Sequence, residues 1–124
     1  MMTLRELYDS IGGDYAEAIG RLRMEKLINR FIVRFLDDSS CRDLVKSWRA
    51  GDDKATFQAA HAAKGVCSNL SLTRLATLAN EITEALREGN EGLRAQTDVD
   101  ALVNELDAAY AIAVKNITAY ANSL

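Results

Sequence analysis

Apolar residues recur at steps of three and four along much of the chain, which is the spacing of an amphipathic helix. The pattern is clearest in segment 24–36, whose apolar positions are Met24, Leu27, Ile28, Phe31, Ile32, Phe35 and Leu36. Polar residues between them are expected to face solvent. Similar stripes cover segments 44–48, 75–86 and 99–120. The chain has no proline, which would interrupt a helix interior. The pattern predicts an all-α protein.

Start and stop signals divide this pattern into separate helices. Thr3 and Glu6 have the spacing of a capping box and predict a short first helix that ends near Ile11. The glycine pair 12–13 then ends this helix, and Asp14 is expected to begin a second one. The N-terminal end is therefore predicted to hold one or two short helices.

The remaining signals outline a bundle. Asp52 or Asp53 is expected to cap a helix that continues to about Leu70, and a tight turn at 71–73 leads into the next helix. A loose polar stretch is expected up to Gln96, before the last long helix. Long helices with short connections predict an antiparallel four-helix bundle, and 124 residues fit one domain over 1–124.

Charge and composition exclude several classes of function. The net charge of −3 gives no indication of a nucleic-acid partner or an anionic membrane surface. No apolar run approaches the ~18 residues needed to span a bilayer. Cys41 and Cys67 are too few for a disulfide framework, and no Cys/His cluster has the spacing of a zinc site. We expect Cys41 to lie in a loop, Cys67 to face inward, and the protein to be in the reduced cytoplasm.

One local group of residues suggests a functional site. His61 is the only histidine, and Lys64, Gly65 and Ser68 follow it at helical steps of three, four and seven. These four residues should therefore share one face of their helix, on the flank or outside of the bundle. The opposite stripe is expected to be buried and consists of Phe57, Ala60, Val66 or Cys67, and Leu70.

The residue types on this face suit phosphoryl transfer. A neutral imidazole has a free nitrogen lone pair that can attack phosphorus. A phosphoryl group then adds a charge near −2, which the Lys64 ammonium one turn away would partly neutralise. A glycine inside a helix destabilises it by about 1 kcal/mol relative to alanine. The presence of Gly65 therefore suggests a specific role, such as room for a partner or close helix packing. Small residues around His61 would also leave its ring accessible.

Residues 60–70, Ala-His-Ala-Ala-Lys-Gly-Val-Cys-Ser-Asn-Leu, resemble the signature of histidine-containing phosphotransfer (HPt) domains. The similarity continues at Leu75, Leu78, Ala79 and Ile82, and the chain length matches a stand-alone member. Two departures are Ala63, where members often have leucine, and Ser71, where glycine is common. The resemblance implies that His61 accepts a phosphoryl group from a receiver-domain aspartate and passes it to another receiver.

The resemblance also implies the other participants. Lys64 would stabilise charge and Gly65 would provide steric clearance, with Ser68 and Arg87 as further candidates near the site. The partners would be response-regulator receiver domains and a hybrid histidine kinase, and the protein would be a monomer. No nucleotide-binding loop is visible, so we expect a phosphocarrier without cofactor or metal, the Mg²⁺ being held by the receiver.

Two other classes of function remain beside the phosphocarrier at this stage. The chain could be an interaction module that binds receivers or other partners without being phosphorylated, although such a module would be free to lose His61. It could be the dimerising part of a histidine kinase, but those follow their histidine with an acidic residue and later a proline, whereas Ala62 follows here. A variant of the phosphocarrier would be the phosphorylation domain of a chemotaxis kinase, cut from a larger chain.

Overall fold

Eight α-helices and no β-strands make up the protein, whose computed structural model describes all of residues 1–124. In chain order the helices are α1 (Leu4–Ser10), α2 (Tyr15–Leu22), α3 (Glu25–Phe35), α4 (Ser40–Arg49), α5 (Asp53–Asn69), α6 (Thr73–Leu86), α7 (Glu91–Gln96) and α8 (Val99–Asn122). None of them combines the length and the apolar surface that a membrane crossing requires.

Four of these helices form a bundle. The helix α5 packs against α4 and α6, and α8 packs against α4 and α6 to complete the ring. Short turns of three residues each join α4 to α5 and α5 to α6, so consecutive helices run antiparallel. Side chains from all four helices meet in one core, which includes Leu44, Ala63, Leu75, Ile82 and Leu106. The predicted all-α, antiparallel four-helix bundle is confirmed.

The helices before the bundle close one of its ends. The predicted capping box is present: the backbone N–H of Glu6 donates to Thr3 Oγ1 at 3.1 Å, and the backbone N–H of Thr3 donates to Glu6 Oε1 at 2.9 Å. Tyr8, buried on α1, donates its hydroxyl to the carbonyl oxygen of Leu70 at 2.8 Å. This bond ties the N-terminal segment to the turn between α5 and α6, while α3 packs against α2 and α8.

Three local expectations were wrong. Met24 does not belong to the apolar stripe, because it is the exposed N-cap of α3. Segment 89–96 is not entirely loose, since it contains α7, which buries no residue. Cys41 is not a loop residue: it lies in the first turn of α4 and is fully buried. The polar break expected over 37–40 was too long at its end, because α4 already begins at Ser40.

Candidate functional site

The helix α5 has a buried face and an exposed face. Asp52 caps its N-terminus by accepting the backbone N–H of Ala55 at 3.0 Å, as expected from the sequence. The inner face packs into the core and consists of Thr56, Ala60, Ala63 and Cys67. Because these positions fix the rotation of the helix, the residues between them must point out of the bundle.

The imidazole of His61 is exposed on the outer face. It stacks on the ring of Phe57 one turn earlier, with ring centroids 6.2 Å apart and planes 7° from parallel. Phe57 is only half-buried, so the expectation that it belongs to the buried stripe was wrong. Its ring lies at the edge of the core, where it supports the histidine from one side and leaves the other side open.

Lys64 and Gly65 follow on the same side of the helix. Lys64 is half-buried, and Gly65 is exposed. A Cβ atom added at Gly65 would meet nothing within 4 Å, so the glycine is not there to allow close helix packing. The two residues therefore leave an open, partly cationic surface one turn beyond the histidine.

The neighbouring helix α6 brings an ion pair to this surface. Arg87 donates through Nε to Glu84 Oε2 at 2.9 Å and through Nη2 to Glu84 Oε1 at 3.2 Å, a two-pronged contact. The guanidinium carbon of Arg87 also lies 5.3 Å from the ring centre of Phe57. Arg87 is therefore linked to His61 through the aromatic ring that both side chains contact.

The ion pair with Arg87 brings Glu84 into the same group of side chains. The hydrogen bond from Arg87 holds the pKa of Glu84 below its usual value, and the nearby charges of Arg87, Lys64 and His61 act in the same direction. The Glu84 carboxylate in turn raises the pKa of Arg87. Sequence reasoning missed Glu84; its spacing of three from Arg87, on a helix antiparallel to α5, was the available signal.

Ser68 lies away from the imidazole. Seven residues of helix separate it from His61, which corresponds to about 10 Å along the axis. It is exposed and lines a polar surface depression together with Lys64, Glu17, Arg21 and Asn80. The structure thus groups Ser68 with the far side of Lys64 and not with the histidine ring.

The side chain of Arg21 joins α2 to the end of α5. Its Nη1 donates to the carbonyl oxygens of Ser68 and Asn69, each at 2.8 Å, and its Nη2 contacts Glu17 at 3.1 Å. These carbonyls belong to the last turn of α5, where Ser68 also accepts the backbone N–H of Ser71 at 3.1 Å. The N-terminal helices therefore hold the C-terminal end of the helix that presents His61.

The two cysteines lie on the opposite side of α5 from the histidine. Cys67 faces the core as expected, in contact with the buried thiol of Cys41. This contact and burial raise the pKa of the Cys67 thiol, which keeps it protonated and unreactive. Nowhere do three or more His, Cys, Asp or Glu side chains gather in a way that could hold a metal ion.

Comparison with known proteins identifies the family. A sequence model of the Hpt domain matches residues 24–111, which is well over half of the chain and includes the whole of α5 and α6. No curated protein and no solved structure matches the chain. Hpt domains function in phosphotransfer in two-component signalling, where they interact with receiver domains and kinases. The chain therefore belongs to the Hpt domain family.

Proposed function

We propose that this protein is a phosphorelay intermediate that accepts a phosphoryl group on His61 from the aspartate of one receiver domain and donates it to the aspartate of another. The observation that supports this most strongly is the exposed imidazole of His61, backed by Phe57 and followed one turn later by Lys64 and an open Gly65. The buried face of α5 fixes the orientation of the helix and therefore of these side chains.

The transfer step needs only a nucleophile from this chain. A neutral ring nitrogen of His61 attacks the phosphorus, the new N–P bond forms, and the O–P bond to the receiver aspartate breaks. The aspartate carboxylate leaves with the electron pair of that bond, and the ring proton on the other nitrogen passes to solvent. The reverse sequence loads the second receiver. The parallel contact with Phe57 restricts the orientation of the ring before the attack.

The neighbouring side chains have supporting roles in this proposal. Lys64 offsets the negative charge of the transferred oxygens. Gly65 leaves space for the receiver to approach, since no atom lies within 4 Å of a Cβ built there. Arg87 adds a second cation beside Phe57. Ser68 contributes to the rim of the docking surface, because it lies beyond Lys64.

The proposed participants follow from the same account. The partners are response-regulator receiver domains and a hybrid histidine kinase, and the receiver supplies the Mg²⁺ of the reaction. The protein acts in the cytoplasm as a single-domain monomer over residues 1–124. It is a carrier of the phosphoryl group and neither a kinase nor a hydrolase.

The test is transfer of radiolabel from a phosphorylated receiver domain to the wild-type chain and to His61→Gln. Wild-type protein should take up label that is lost in acid and retained in alkali, as expected for phosphohistidine. His61→Gln should take up none while its circular dichroism stays unchanged. Lys54→Gln is the control for a second exposed side chain on α5, and it should retain uptake.

The main alternative predicts a different result in the same experiment. A receiver-binding module that is not phosphorylated would bind the receiver equally well with and without His61, and neither protein would take up label. Uptake by His61→Gln would instead show that another residue is phosphorylated. Either outcome would overturn the proposal.

A further inference from the structure

Glu84 is the acidic side chain that pairs with Arg87 beside Phe57, on a surface that Asp53 and Glu88 also line. It forms the two hydrogen bonds with Arg87 described above, and the amide of Asn90 lies 3.5 Å from its Oε2. The charges of Lys64 and His61 on α5 add a smaller effect that favours its ionised form. The proposed relay gives this carboxylate no task, although it binds the arginine whose guanidinium lies over the ring that stacks on His61.

We propose that Glu84 is a positioning residue, a resident counter-anion that holds Arg87 beside the empty imidazole and gives it up to the phosphoryl group once His61 is phosphorylated. This inference rests on the proposed phosphorylation of His61. It assigns Glu84 the function of setting how strongly the site retains its phosphoryl group.

The chemistry of the ion pair suits such an exchange. The forked guanidinium of arginine binds a phosphoryl group with the same two-pronged geometry with which it binds a carboxylate. The pair is half-exposed, with 42% of the Arg87 side chain and 35% of the Glu84 side chain accessible, so solvent weakens it. A group with a charge near −2 therefore competes well against a single carboxylate for the same cation.

The geometry supports the same conclusion. Phe57 contacts both the imidazole of His61 and the guanidinium of Arg87, which brings the two groups to the same ring. The position of Glu84 favours a negative charge, because the charges of Arg87, Lys64 and His61 all stabilise its carboxylate. A phosphoryl group on His61 would be attracted by Lys64 and Arg87 and repelled by Glu84. Removal of the carboxylate should consequently favour the doubly charged form of the phosphoryl group.

The test uses phosphoramidate as a small donor, so that no receiver is needed. The P–N bond of phosphoramidate breaks, a P–N bond to the imidazole forms, and the leaving nitrogen takes up a proton and departs as ammonia. The second pKa of the phosphohistidine is then measured by ³¹P NMR in the full-length wild-type chain, in Glu84→Gln and in Glu81→Gln. Glu81 is the matched control, because it is an exposed glutamate on the same helix, outside the group around His61.

Glu84→Gln should lower this second pKa by about half a pH unit, because an anion several ångströms away opposes the second ionisation. The shift should shrink at high salt, and Glu81→Gln should show none. Arg87→Gln should raise the pKa, and in the double variant the effect of Glu84→Gln should be smaller, because Glu84 acts partly through Arg87. A merely structural role of Glu84 would not produce this salt-dependent shift.

Two outcomes separate this inference from the proposed function. If the wild-type chain forms phosphohistidine on His61 but Glu84→Gln leaves its second pKa unchanged, the inference is overturned and the proposed function stands. If no phosphohistidine forms in the wild-type chain, and none forms from a phosphorylated receiver, the proposed function fails together with the inference.

Discussion

The two faces of α5 differ in their roles, although their residues alternate along the same helix: one packs into the core and the other presents the histidine. The inner face is buried and made of small side chains, Ala60 and Ala63 among them, which bring α5 close to its partner helices. The outer face exposes His61 and Gly65 to solvent. Packing on the inner face therefore fixes the direction in which the reactive group on the outer face points. Substitutions on the inner face should mainly change the free energy of unfolding, whereas bulk or charge changes on the outer face should mainly change phosphotransfer.

The largest effect is expected from a charge placed on the inner face. Ala60→Asp would bury a carboxylate at a position with no accessible surface and should lower the free energy of unfolding by about 4 kcal/mol or more. Ala62→Asp is the matched control, because Ala62 lies two positions later on the exposed face, and this variant should leave the free energy of unfolding almost unchanged. Urea denaturation of both variants makes the comparison. Equal losses would contradict the division into two faces.

The next effect concerns the bond that ties α1 to the end of α5. Tyr8→Phe removes the hydroxyl that donates to Leu70 and should cost about 2 kcal/mol, because a buried carbonyl loses its partner. Urea denaturation at neutral pH measures this cost. Phosphorylation of His61 should stay close to that of the wild type under conditions where both proteins are folded.

The raised pKa of the same tyrosine should make the free energy of unfolding depend on pH. Burial raises the pKa of Tyr8 from 10.0 to about 12, against a smaller opposing effect of Arg21. A raised folded-state pKa contributes stability that is complete below pH 10 and is lost as the pH rises towards 12. The difference in free energy of unfolding between wild type and Tyr8→Phe should therefore shrink over that range. A difference that stays constant from pH 9 to about 12 would contradict the assignment.

On the outer face, stability and function should change in opposite directions. Gly65→Ala should raise the free energy of unfolding by about 1 kcal/mol, because alanine is the better helix former and its Cβ meets nothing within 4 Å. Gly65→Gln adds bulk where the receiver approaches and should slow transfer from a receiver about ten-fold, while phosphorylation by phosphoramidate changes little. If Gly65→Gln slowed phosphorylation by the receiver and by phosphoramidate alike, Gly65 would have no specific role in providing space for the receiver.

The smallest effect is expected from the lysine. Lys64→Gln should reduce the rate of transfer to His61 about three- to five-fold at low salt, because a half-exposed charge is screened by solvent. Lys54→Gln is the matched control, an exposed lysine three turns earlier on α5. As the ionic strength rises, the transfer rates of Lys64→Gln and the wild type should converge. An equal effect of both substitutions would indicate a general charge effect.

Local features could be predicted from the sequence because they depend on neighbouring residues. The capping box at Thr3, the cap at Asp52 and the outward position of His61 follow from spacing within one helix, and the structure has all three. The bundle also followed, since short connections force consecutive helices to run antiparallel. The roles of His61, Lys64 and Gly65 in phosphotransfer stay predictions.

Features that depend on contacts between helices were missed. Phe57 was assigned to the buried stripe on its apolarity alone, but its ring lies at the edge of the core between His61 and Arg87. Glu84 was not considered, because its proximity to the site arises from the packing of α6 on α5. Cys41 was placed in a loop because nothing in its own segment shows that it meets Cys67.

The central claim, that His61 is the phosphorylated residue, is tested most directly by locating the phosphoryl group. The wild-type chain is treated with a phosphorylated receiver, digested at neutral to alkaline pH and analysed by mass spectrometry with fragmentation that preserves N–P bonds. The account predicts one phosphoryl group on His61, removed by acid and stable in alkali. A phosphoryl group on any other residue, or none on a chain that still binds the receiver, would contradict it.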